Sequence, residues 1–102
     1  MPNLYVGTIS ASAPTNTLVG VASAQAVAAN NLRAGLVLTN ISGSTVYLGL
    51  QNATATLHAG IALLPSGGTW TMDEYTYNND PVNAIAHSAG NILCIQEFLR
   101  WQ

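Results

Sequence analysis

The sequence predicts an all-β fold, an antiparallel β-sandwich or jelly-roll-like barrel of about eight short strands with an N-terminal arm. Three observations predict it. Apolar residues alternate with a period of two through 33–50 and again further along, which is the repeat of a half-buried strand. Short apolar runs are separated throughout by turns rich in Gly, Asn, Ser and Pro. Only residues 22–29, dense in alanine, offer a helix as a competitor.

The chain of 102 residues reads as one domain. Residues 1–31 are the N-terminal arm with the first strands, and 32–102 are the sandwich core. In the arm, 4–9 suits a short strand and 10–16 a loop of small residues with Pro14. Residues 17–29 then alternate. Val19, Val21, Gln25 and Val27 share one parity, while Ala22, Ala24, Ala26 and Ala28 share the other and would make a smooth face for another sheet or subunit. Strand and helix both remain open for 17–29. If the face is a strand, it is a candidate interface, and the arm is a candidate to lie on a neighbouring subunit.

The stretch 33–50 reads as a hairpin. Leu36 and Leu38 oppose Val37 and Thr39 in its first arm, Val46 and Leu48 oppose Tyr47 and Gly49 in its second, and Asn40, Ile41, Ser42, Gly43 and Ser44 reverse the chain. Residues 54–64 hold one or two strands broken near Ala59 and Gly60. Leu64, Pro65, Ser66 and Gly67 suit a type I turn. Trp70 and Met72 face one way on the next strand and the flanking threonines the other. Residues 82–87 return as a strand, and 92–98, apolar on both faces up to Gln96, belongs in the middle of a sheet. The half-apolar end with Phe98 and Trp101 asks for something to cover it.

Charge sets the functional bounds. Asp, Glu, Lys and Arg make up 6% of the chain, with no lysine, and the formal net charge is −2. An average soluble domain carries roughly 25%. Such a surface stays soluble through Ser, Thr, Asn and Gln, or because much of it is buried against other proteins. Two arginines far apart in sequence argue against nucleic acid, which needs clustered cations. No apolar run is long enough to span a bilayer, so no membrane partner is expected. The first residues lack the basic and apolar blocks of a secretory signal. Cys94 is the single cysteine and reads as a small buried hydrophobe.

Reactive groups are sparse, and no catalytic residue, cofactor or metal is expected. His58 and His87 could hold a metal with Asp73 or Asp80 only if the fold gathers them, because no ligand spacing along the chain does so. His87 followed by Ser88 lacks the elbow of a hydrolase. Asp73 and Glu74, adjacent on a strand, point to opposite faces and do not make a carboxylate pair. The loop with Tyr75, Tyr77, Asn78, Asn79 and Asp80 is a candidate ligand loop for stacking and hydrogen-bonding a sugar. Arg33 opens one strand and Glu97 ends another, so a structural ion pair forms if those strands are neighbours.

From Arg33 onward the sequence resembles a family of small β-sandwich virion proteins of tailed bacteriophages. The likeness rests on Arg33, the strand through Leu36 to Asn40, Val46-Tyr47-Leu48-Gly49, Gly60, and Leu64-Pro65-Ser66-Gly67. It continues through Ala84-Ile85-Ala86-His87-Ser88 and the apolar strand from Ile92 to Glu97. The resemblance brings no catalytic residues. It implies a structural role in the particle: a capsid decoration (cement) protein, or a tail, fibre or adaptor component. The expected partners are other copies of the chain, as a homotrimer, and the major capsid protein or another virion protein. The expected location is the virion, at the capsid surface, after synthesis in the bacterial host cytoplasm.

Overall fold

The computed structural model describes residues 9–100. They form nine strands and no helix: β1 (Ile9–Ala11), β2 (Thr15–Val19), β3 (Ala24–Val27), β4 (Arg33–Asn40), β5 (Val46–Gly49), β6 (Ile61–Leu63), β7 (Gly68–Thr71), β8 (Val82–Ala86) and β9 (Asn91–Arg100). Two antiparallel sheets result. The first runs β1-β9-β4-β7, with β2 beside β1 on the same edge of β9, and the second runs β3-β8-β5-β6. Their facing sides make the core: Val19, Leu36, Leu38, Leu93 and Ile95 from the first sheet meet Val27, Val46, Leu48, Leu63, Val82, Ala84 and Ala86 from the second. This is the all-β sandwich that the period of two requires.

The expected hairpin over 33–50 is not formed. β4 pairs with β7 and β9, whereas β5 pairs with β6 and β8 in the opposite sheet, so residues 41–45 carry the chain across the sandwich. Asn40 decides this. Its side chain is fully buried, and its Nδ2 donates to the carbonyls of Ser44, Leu63 and Leu64 while its Oδ1 accepts from the Ser42 N–H. The second crossing, at 64–67, lies alongside: Ser66 N–H donates to Ser42 O and Gly67 N–H to Asn40 O. Ser66 and Gly67 both have positive φ, 62° and 121°, so this turn is not the type I turn its composition suggests. One inward amide thus ties both crossings together.

The alternating ribbon expected over 17–29 is also not formed. The described part is strand, not helix, but it is split: β2 lies in the first sheet and β3 in the second, with Ala22 in the bend between them. A bulge between Gln25 and Val27 shifts the register against β8 and turns Val27 into the core. Ala24 and Ala28 are exposed and Ala26 is half-buried, so the four alanines share no flat face. Residues 9–27 pair with β8 and β9 of their own chain. Residues 54–60 are loop, and only Ile61–Leu63 of the expected 54–64 strands pairs. Ala55 in that loop is buried, its N–H held by Ser23 Oγ at 2.9 Å. β9 is central, flanked by β1 and β2 on one side and β4 on the other, as its apolar run demands.

Candidate functional site

Arg33 sits at an odd position of β4, while the core-facing Leu36, Leu38 and Asn40 are even. A bulge between Arg33 and Gly35, opposite Leu99 and Phe98 of β9, resets the parity and turns the arginine inward. The guanidinium is completely buried, and the structure gives each of its nitrogens an acceptor. Nε donates to Glu97 Oε2 at 2.8 Å, Nη1 to the carbonyls of Asn78 and Asp80 at 3.2 and 2.9 Å, and Nη2 to the Ala28 carbonyl at 2.7 Å. The planar fork of donors is what allows one side chain to join β9, the 73–81 loop and the end of the N-terminal region.

The same end holds the rest of the charge. Tyr77 donates its hydroxyl to the Arg33 carbonyl at 2.6 Å, accepts from Arg100 Nη2, and lies 5.5 Å beneath the Arg100 guanidinium. Asp73 and Glu74 lie in the loop after β7 and not on a strand, so they are not parted to opposite faces as expected; with Arg100 they line one open cleft beside Gly35, Phe98 and Ile9. Every Asp, Glu, Lys and Arg of the chain is therefore gathered around the start of β4, the end of β9 and the loop joining β7 to β8.

The candidate ligand loop is largely engaged in holding itself. Asp73 Oδ1 accepts from the backbone N–H groups of Tyr75 and Thr76 and from Thr76 Oγ1, at 2.9, 3.0 and 3.0 Å. The Thr76 hydroxyl first, and then the two backbone N–H groups, hold the Asp73 carboxyl below its ordinary pKa. Asn78 is buried and its Oδ1 accepts from the Asp80 N–H; Asn79 Nδ2 reaches the Asn31 carbonyl at 3.4 Å. Tyr77 is committed to Arg33 and Arg100. Tyr75 projects freely, at 89% exposure, and Asp80, whose backbone N–H and carbonyl are engaged, is exposed as well.

The outer face of the first sheet has a different character. Leu18 of β2 pairs with Ile92 of β9, and Ile41 donates its N–H to the Ile92 carbonyl, making an apolar row in which Leu18 is 71% and Ile41 54% exposed. Towards the charged end follow Asn16, Cys94 and Thr39 in register, then Gln96 beside Val37, then Phe98 beside Gly35. Phe98 is half-buried, its ring against Gly35. Trp101, the other aromatic of the expected interface, lies outside the described residues. Cys94 is a free thiol, partly exposed on this face.

On the outer face of the second sheet the fold gathers the two histidines. His87 follows Ile85 on the outward parity of β8, and His58 folds back from the 54–60 loop over Tyr47 of β5. His58 Nε2 stands 3.1 Å from His87 Nε2, and His58 Nδ1 stands 3.3 Å from the Tyr47 hydroxyl. Neither Asp73 nor Asp80 joins them: both acids belong to the charged cluster, and among the described residues no three His, Cys, Asp or Glu side chains converge as a metal group. The sequence offered the outward parity of His87 but no sign of His58 above it, since the two are 29 positions apart.

No family model matches the chain, and no curated protein matches it. A solved structure described as "Bacillus endospore appendages form a novel family of disulfide-linked pili" contains a chain that superposes with a TM-score of 0.58 at 14% identity. The alignment covers 93% of this chain and 90% of that one. At that identity the likeness is one of fold.

Proposed function

We propose that this chain is a non-enzymatic structural protein, an oligomeric capsid decoration (cement) protein that stabilises a bacteriophage head by bridging capsid subunits. The observation that supports it is the segregation of charge. The ionised side chains meet at one end, and Arg33, Glu97 and Arg100 bond to partners within the chain. The remaining sheet faces carry Leu, Ile, Val, Thr, Asn and Gln without formal charge, the composition of a surface that meets protein. At roughly 25 cal/mol per Å² of apolar surface removed from water, contacts of this kind reinforce a shell through repetition, although lost rigid-body freedom consumes much of each gain. The resemblance from Arg33 to Glu97 points to the same role.

Light scattering on the purified protein, followed by binding to particles that lack it, tests this reading. Oligomers that bind saturably are expected, with binding lost in Leu18→Glu. A stable monomer indifferent to capsids overturns it.

A second reading is a tail, fibre or adaptor module, and the neighbour of similar fold, which is described as forming pili, lends support to a role in an appendage. Disulfides could not run through such an assembly of this chain. One cysteine forms one bridge, which joins two copies and stops there. Growth into filaments that survive reducing agent would favour this module. In a variant of it, the 75–80 loop touches host glycans, with Tyr75 as the free stacking group, and a glycan array separates that from the capsid role.

A further inference from the structure

His58 and His87 turn their Nε2 atoms towards each other at a spacing that two ligands of one ion would also have. Two nitrogens bound at about 2.05 Å stand roughly 3.3 Å apart on a tetrahedral metal and roughly 2.9 Å apart at a right angle. The observed Nε2 to Nε2 separation, 3.1 Å, falls between these values. We propose that His58 and His87 form a surface site for a divalent transition metal of the imidazole-preferring kind, zinc foremost, with water filling its remaining positions.

Two further features fit. The Tyr47 hydroxyl lies against His58 Nδ1, and when that nitrogen carries the proton and donates to the tyrosine oxygen, the Nε2 lone pair faces His87. Tyr47 also packs edge-on against both imidazoles, with interplanar angles of 64° and 82°, and so orients the two rings. His58 itself has a φ of +64°, a left-handed conformation that a non-glycine side chain adopts at a cost. It is this turn that brings the ring over Tyr47.

The chemistry of the donors selects the cation. Among the described residues no carboxylate stands with the pair, so it lacks the oxygen donors that calcium and magnesium require. Imidazole nitrogen suits zinc, copper and nickel. Without a metal, the two Nε2 atoms stand at hydrogen-bonding distance from each other. With one, His87 carries its proton on Nδ1, and both Nε2 lone pairs point to the ion. Both histidines are exposed, which leaves the ion an open path.

Calorimetric titration of the full chain with zinc chloride, in a buffer that does not chelate, tests the site. Saturable binding is expected that falls to background in His58→Ala and in His87→Ala, weakens about tenfold in Tyr47→Phe, and is unchanged in Cys94→Ser. Calcium should give no heat. Zinc-induced shifts of the His58 and His87 ring signals in the NMR spectrum of the unmodified protein provide a readout independent of any variant. No binding, binding that survives both histidine changes, or binding that disappears in Cys94→Ser overturns the proposal.

Discussion

Arg33 and Glu97 face each other across adjacent strands at 2.8 Å, the arginine side chain wholly buried and the glutamate 18% exposed. Their roles are unequal. Replacing Glu97 by Ala leaves a buried guanidinium with three backbone acceptors, and the expected cost is about 3 kcal/mol. Replacing Arg33 by Met strips the donor from the carbonyls of Ala28, Asn78 and Asp80 together, so it should cost more. Urea midpoints of the two variants check the order. Unchanged melting and assembly in both would remove the pair from any account of stability.

Asn40 is a donor to three carbonyls and an acceptor for one backbone N–H. Asn40→Leu should destabilise by roughly 1–3 kcal/mol through groups left unpaired. Asn40→Asp, nearly the same shape, should be worse, because a carboxylate turns repulsive oxygen towards Ser44, Leu63 and Leu64. If thermal denaturation ranks the aspartate variant above the leucine variant, the amide is not what holds the two crossings together.

Gly49 is required by close approach. A Cβ there would collide with the Ala53 carbonyl, whereas one at Gly43 would meet nothing within 4 Å. Gly49→Ala is expected to cost about 1–3 kcal/mol as backbone is displaced, and Gly43→Ala to stay within about 0.5 kcal/mol of the parent. Equal denaturation midpoints for the two variants would contradict this packing.

Asp73 gives a signed pH effect. Its carboxyl is held below the ordinary value in the folded chain, so its contribution to stability is fully present above the unfolded pKa. That contribution is lost as pH falls through the lower folded value, in the region below roughly pH 4. Thr76→Val removes the largest cause, and the Asp73 titration followed by carboxyl NMR should move upward. A curve that does not move would assign the depression to the backbone N–H groups alone.

Much of the architecture was legible because the period of two survives in 36–40, 46–49 and 82–86 whichever strands they pair with. What was not legible was which sheet each strand joins. The small and polar residues at 42–45 serve a reversal within a sheet and a passage between sheets equally well, and only the inward direction of Asn40 separates the two. The Arg33–Glu97 pairing could be anticipated because charges are so few. The bulge that turns Arg33 inward could not, since it leaves no mark on composition. His58 and His87 meet through the register of β5 with β8 and a left-handed turn, and neither has a local signature.

The position of β9 has a consequence for biosynthesis. It supplies hydrogen-bonding partners to β1, β2 and β4 alike, and Ser12 meets Glu97 across 85 positions of chain. On the ribosome the early strands therefore wait, edges bare, until nearly the last described residue has emerged, which places the chain among slow folders governed by distant pairings. During that wait the bare edges can be answered by a neighbouring nascent copy, so the yield of correctly folded protein should fall as its concentration rises.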